Sequence, residues 1–284
     1  MRKVLLATII SLTVCSSTFS QSFFDIVSKG TPEEVQKAIK TGAKINDRNS
    51  NGETPLMYAA LKNQNPEVIT ALIKAGANVN DRNSIGVTPL MLAAENNQNP
   101  EVVTALIKAG ANVNDRTSNG GTPLMCAAGF NKNPEVVTAL IKAGANVNDR
   151  NFNGGTPLTR ATDFNKNPEV ITALIKAGAN VNERDSKGTT ALMFAAEWQP
   201  YPEVIKTLIE AGAKVNDRTS IGRTPLMLAA INNKNPEVIT ILLKSGADGT
   251  LKDNEGKTAF DYAGDNEKIK GTAQYWELNE AQYK

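Results

Sequence analysis

Apolar residues along this chain fall into two kinds of short run that alternate. Between Thr88 and Gly120 the first run, Leu90-Met91-Leu92-Ala93-Ala94, is apolar throughout. The second places Val102, Val103, Leu106 and Ile107 at helical spacing among polar residues, the pattern of a helix with one buried face. Each run follows a helix-start signal. Thr88-Pro89 supplies a hydroxyl N-cap and a proline at the first helical position, where its missing N–H costs nothing. Asn99-Pro100-Glu101 repeats that logic and adds a carboxylate at the positive end of the helix dipole. Lys108 suits the negative end of the second helix, and Gly110 can take the left-handed conformation that stops it. Asn112 to Gly120 is turn chemistry ending in an Asn-Gly hairpin signal. The pattern predicts helix, loop, helix, hairpin, with both helices too short to persist alone in water.

The same unit recurs along the chain. Thr54, Thr88, Thr122, Thr156, Thr190, Thr224 and Thr258 stand 34 residues apart, and so do Pro32 through Pro236 and Gly42 through Gly246. A fixed period of this size indicates a solenoid whose units bury their apolar faces on one another. Tetratricopeptide units share the period, but their Trp, Gly and Tyr spacing is missing. The motif Gly-x-Thr-Pro-Leu-x-x-Ala-Ala at Gly86 to Ala94, followed by Glu-Val-Val, Leu-Ile-x-x-Gly-Ala and Asn-Val-Asn from Glu101 to Asn114, resembles the ankyrin repeat, and the resemblance extends over essentially all of residues 21–284. It implies an all-α solenoid of stacked helix-loop-helix units with β-hairpin-like loops. Six units are expected, at 54–87, 88–121, 122–155, 156–189, 190–223 and 224–257, between an N-terminal capping repeat at 21–53 with an irregular first helix around Phe23 to Val27, and a C-terminal one at 258–284 carrying Trp276 and Tyr283. Two departures from the family stand out. The histidine usual after Thr-Pro-Leu is replaced by Met57, Met91, Met125, Thr159, Met193 and Met227, which removes its inter-repeat hydrogen bonds. The unit is also one residue longer than usual, and the count from Ala94 to Glu101 places the addition in the loop between helices.

Residues 1–20 read as an export signal: Arg2 and Lys3, an apolar stretch from Val4 to Val14, then small polar residues with Thr18 and Ser20 suited to cleavage after Ser20. The alternative is a lipoprotein signal at Leu12-Thr13-Val14-Cys15, with Cys15 lipidated and the protein held at the cell envelope. Export would leave a periplasmic or secreted chain, expected to be a monomer. Losing Arg2 and Lys3 lowers Lys plus Arg from 31 to 29, equal to the 29 Asp plus Glu, and no basic cluster suggests nucleic acid. The absence of histidine removes imidazole base chemistry, histidine-based triads and most zinc sites. No cofactor, metal or catalytic residue is expected. Cys126 takes a position held elsewhere by Tyr58, Leu92, Arg160, Phe194 and Leu228, and reads as a small packing residue.

Positions that are constant from unit to unit are accounted for by folding, so function is sought among those that vary. The recurring Asp-Arg pairs, such as Asp81-Arg82 and Asp149-Arg150, read as solvated hairpin structure. Just after the Ala-Ala pair stand Lys62, Asn96, Phe130, Phe164, Trp198 and Asn232, three aromatic residues between polar ones. The resemblance places this end of the first helix, with the hairpin tips, on the concave face that receives a protein partner. Phe130, Phe164 and Trp198 are therefore expected to bind another protein, with Phe152, Arg160 and Arg223 bordering the patch. Three other readings stay open: rings that pack on each other or over the loop, a structural component of the cell envelope, and a glycan or small-molecule binder that uses the rings as a stacking platform.

Overall fold

The structure, a computed structural model, describes residues 22–165 and 167–284; the expected export signal at residues 1–20 and the candidate lipidation site Cys15 lie outside them. Sixteen helices and no strand occur among the described residues. They come in pairs: α1 (Phe23–Lys29) and α2 (Pro32–Lys40); α3 (Pro55–Lys62) and α4 (Pro66–Lys74); α5 (Pro89–Asn96) and α6 (Pro100–Lys108); α7 (Pro123–Phe130) and α8 (Pro134–Lys142). The series continues with α9 (Pro157–Phe164) and α10 (Pro168–Lys176); α11 (Ala191–Trp198) and α12 (Pro202–Glu210); α13 (Pro225–Asn232) and α14 (Glu237–Lys244); and α15 (Ala259–Ala263) and α16 (Ala273–Ala281). First helices stack on first helices in one row and second helices on second helices in another.

The helix starts follow the sequence signals. Thr88 Oγ1 accepts the Met91 N–H at 3.3 Å, and Asn99 Oδ1 accepts the Glu101 N–H at 3.0 Å. Gly110, with φ of +93°, ends the second helix in the left-handed region. Within each unit the same side chains disappear from solvent: Leu90, Met91, Val102, Val103 and Leu106 are all at most 1% exposed. Each such burial contributes about 1.5–3 kcal/mol, realised only when the next unit is in place. The N-terminal unit departs from expectation. Its first helix is regular, because Ser22 caps it by accepting the Asp25 N–H at 3.2 Å.

Polar residues join the units as regularly as the apolar ones. Asn63, Asn97, Asn131, Asn165, Gln199, Asn233 and Asn266 are buried in the turn between the two helices. Asn131 Nδ2 donates to the Ala94 and Asn97 carbonyls of the preceding unit at 2.9 and 2.8 Å, and its Oδ1 accepts the Asn133 N–H at 2.9 Å. The inter-repeat polar link lost with histidine is thus carried by the loop. The methionines add a weak bond of their own where Met57 Sδ accepts the Thr54 N–H at 3.4 Å.

The Asp-Arg pairs are not merely solvated hairpin structure, and the adjacent residues do not pair with each other. Arg48 binds Asp81 of the following unit at 2.9 Å, and Arg116 binds Asp149 at 2.8 Å. Arg82 with Asp115, Arg150 with Glu183 and Arg184 with Asp217 continue the series. Arg116 Nη1 also donates to the Gly120 and Arg150 carbonyls, at 3.1 and 2.9 Å, so each arginine ties together two hairpins. A one-residue offset in a stack joins i to i+33, a pairing that inspection of neighbours in sequence does not reveal.

Candidate protein-binding face

The first helices end on the face that also carries the hairpin tips. Phe130, Phe164 and Trp198 are the last residues of α7, α9 and α11, and they are 45, 46 and 53% exposed. About half of each residue's surface is therefore open to solvent. The Phe130 and Phe164 ring centroids lie 5.5 Å apart, tilted by 40°. Arg160, one turn before Phe164 on α9, sets its guanidinium 4.4 Å from the Phe164 centroid and 5.3 Å from that of Phe130. These cation–π contacts hold both rings and the arginine in one cluster. Packing and exposure thus coexist for two of the rings, whereas Trp198 makes no ring contact with Phe164 among the described residues.

The bordering residues divide. Phe152 is 76% exposed at a hairpin tip, where its ring lies against Gly120; a Cβ at that glycine would come within 2.9 Å of Phe152 Cδ1. Among the described residues it makes no ring contact with the aromatic cluster. Arg223 turns toward the next unit, with Nε 3.6 Å from Asp253 Oδ2, Nη2 3.8 Å from Glu255, and the Tyr262 ring centroid 5.1 Å away. It still lines a cavity of about 350 Å³ with Phe194, Glu197, Asp185, Ile221 and Leu228. A second cavity of about 140 Å³ shares Asp185 and Phe194 and adds Arg160 and Asp163. Together they form a groove between the hairpin tips and α9, α11 and α13.

Sequence inspection missed the acids of this face. Glu95, Asp163 and Glu197 occupy the position just before the aromatic one, at the 34-residue step shared with Gly129. All three are half-buried, and loss of water raises the pKa of each above its ordinary value; the nearby Arg160 charge opposes the rise for Glu95 and Asp163, and the Asn232 amide opposes it for Glu197. Asp163 also feels the repulsion of Glu197 and Asp185. The available signal was that this position, like its aromatic neighbour, varies between units. Burial and the Glu95 charge push the Cys126 thiol up to about 12, which leaves it protonated and unsuited to attack, in line with a packing role. No group of three metal-ligating side chains gathers among the described residues.

The sequence model described as Ankyrin repeats (3 copies) matches five overlapping stretches, at residues 23–117, 62–151, 96–185, 124–219 and 192–273. A search of the curated proteins finds no match. Paired helices stacked in two rows, hairpin tips joined by regular polar bonds, and a family model that covers the array from residue 23 to residue 273 show that the chain belongs to the ankyrin-repeat family.

Proposed function

We propose that this protein is an exported, non-enzymatic scaffold that binds another protein through its concave face, with Phe130, Phe164 and Trp198 at the centre of the contact. Ankyrin repeats generally mediate protein–protein interaction, and the observation that carries the reading to these residues is the half-exposed aromatic row on α7, α9 and α11. Aromatic and Arg side chains dominate interface energies when a partner covers them, and a row of them open to water is otherwise unfavourable. Arg160 and Phe194 extend the patch, and Arg223 closes it on the C-terminal side. The basic, acid-free start of the apolar leader supports export, with cleavage after Ser20 and lipidation of Cys15 as the alternative.

Affinity capture with the purified protein and with its F130A/F164A/W198A variant tests the site. Truncating interface aromatics typically costs about 2 kcal/mol or more per hot spot, so proteins retained by the parent are expected to be lost by the variant. Half-exposed rings leave much of the fold untouched, and the denaturant midpoint should shift little. A variant that retains the same proteins but unfolds at markedly lower denaturant identifies the rings as packing and removes them from the site.

A further inference from the structure

We infer that the groove between the hairpin tips and α9, α11 and α13 receives an extended segment of the partner in which a Lys or Arg stands beside an apolar residue. The inference rests on the concave-face reading above and adds the chemistry of what binds there. The shape comes first: two cavities, about 350 and 140 Å³, meet at Asp185 and Phe194. The larger falls within the range of sites that hold small ligands or long side chains. Its walls mix apolar surface from Phe194, Ile221 and Leu228 with the carboxylates of Glu197 and Asp185. Ile221 is 50% exposed, and the open rings of Phe164 and Trp198 continue the apolar strip along the helix ends.

Charge selects the occupant. The carboxylates lining the groove are Asp163, Asp185 and Glu197, with Glu95 further along the helix ends; the cations are Arg160, Lys187 and Arg223, with Lys62 at the end of α3 beyond Glu95. Arg223 already lies against Asp253 and Glu255 of the next unit, and Arg160 lies against the faces of Phe130 and Phe164. Lys187 sits exposed on a hairpin tip. By contrast, no Lys or Arg nitrogen among the described residues lies within ion-pairing distance of Glu95, Asp163 or Glu197. The row along the helix ends, Lys62, Glu95, Arg160, Asp163 and Glu197, thus carries three acids against two bases, a net negative charge beside exposed aromatic rings. These acids have lost part of their hydration in the free protein, so an incoming cation finds less left to remove and a stronger attraction across a drier surface. The ring faces favour a cation as well. An anionic segment would instead meet three carboxylates whose charge Arg160 and Arg223 offset only in part.

Panning a phage-displayed library of random linear 12-residue peptides on the purified protein tests this, followed by titration of the enriched sequences as synthetic peptides. The expected peptides carry Arg or Lys next to an apolar residue, bind more tightly as salt is lowered, and lose about tenfold or more in affinity on D163N/E197Q, a pair of near-isosteric changes. They should also be lost on F130A/F164A/W198A. Circular dichroism and thermal unfolding of D163N/E197Q establish that the variant is folded. Peptides that need the three aromatics but lack a cation, or that bind D163N/E197Q undiminished, overturn the cationic assignment and leave the concave-face reading standing. Peptides indifferent to both variants overturn both. Failure to enrich any peptide overturns the extended segment alone, since the capture experiment then still reports on the aromatic face.

Discussion

A single buried asparagine shows how this sequence replaces one family device with another. Asn131 is fully buried and spends both amide hydrogens on carbonyls of the preceding unit and its oxygen on the Asn133 N–H. An unsatisfied buried group costs about 1–3 kcal/mol, so Asn131→Ala, which orphans two carbonyls and one N–H, should lower stability by about 3 kcal/mol in urea unfolding. Asn131→Asp keeps the acceptor but turns a carboxylate toward two carbonyl oxygens, and should be at least as damaging at neutral pH. If both variants unfold within about 0.5 kcal/mol of the parent, the asparagine row contributes nothing to the stack. The recurrence of Asn63, Asn97, Asn131 and Asn165 is visible in the sequence, but a loop asparagine facing solvent has the same spacing. Only the stacking distance reveals that their amides reach the neighbouring unit.

Helices were the most legible level, because capping and periodicity are local. Thr-Pro and Asn-Pro start helices where they stand, and the Gly that ends the second helix of every unit but the last needs no partner to act. Legibility ended where one unit touches another: the i to i+33 arginine rungs and the acids beside the aromatic row depend on relative placement. Local reading also marks the weak part of the array. In α9, Thr159 and Thr162 replace the buried Met and Ala, and each turns its hydroxyl back on its own helix, Thr162 Oγ1 donating to the Leu158 carbonyl at 3.2 Å. Helix α11 begins with Ala191 instead of proline, and α12 is preceded by Tyr201, which makes no side-chain cap. Amide hydrogen exchange is therefore expected to be faster in residues 156–222 than in residues 88–110, and equal protection would count against a weak centre. Tyr201→Asn restores the cap used by the other units and should stabilise the chain by about 1 kcal/mol, slowing exchange in α12 first.

At the scale of the whole molecule the array has two faces under different constraints. The interfaces between units are satisfied almost everywhere, through buried apolar side chains, asparagine amides and arginine rungs that run from Arg48 to Asp217. The rungs stop between units 190–223 and 224–257, where Arg218 meets the Lys252 carbonyl at 2.5 Å and Leu251 stands where a carboxylate would be. The face that carries the aromatic row is the opposite case: Glu95, Asp163 and Glu197 are kept in a partly dry strip that raises their pKa values, chiefly by desolvation. The sign of the consequence follows from linkage. A carboxyl that holds its proton more tightly folded than unfolded adds no penalty while both states are protonated. As pH rises through the ordinary carboxylate range, near about 4, the unfolded chain ionises first, and the folded state loses stability until its own raised pKa values are passed. The triple variant E95Q/D163N/E197Q should therefore be more stable than the parent at pH 7, with the advantage shrinking toward zero at about pH 3.5, as read from denaturant midpoints at the two pH values. Such a gain, together with lost binding of cationic peptides, would mean that the acids are held against the interest of folding, as residues of a binding face commonly are. A variant less stable than the parent at pH 7 would instead make the three carboxylates part of the fold and take from the groove its claim on a cationic partner.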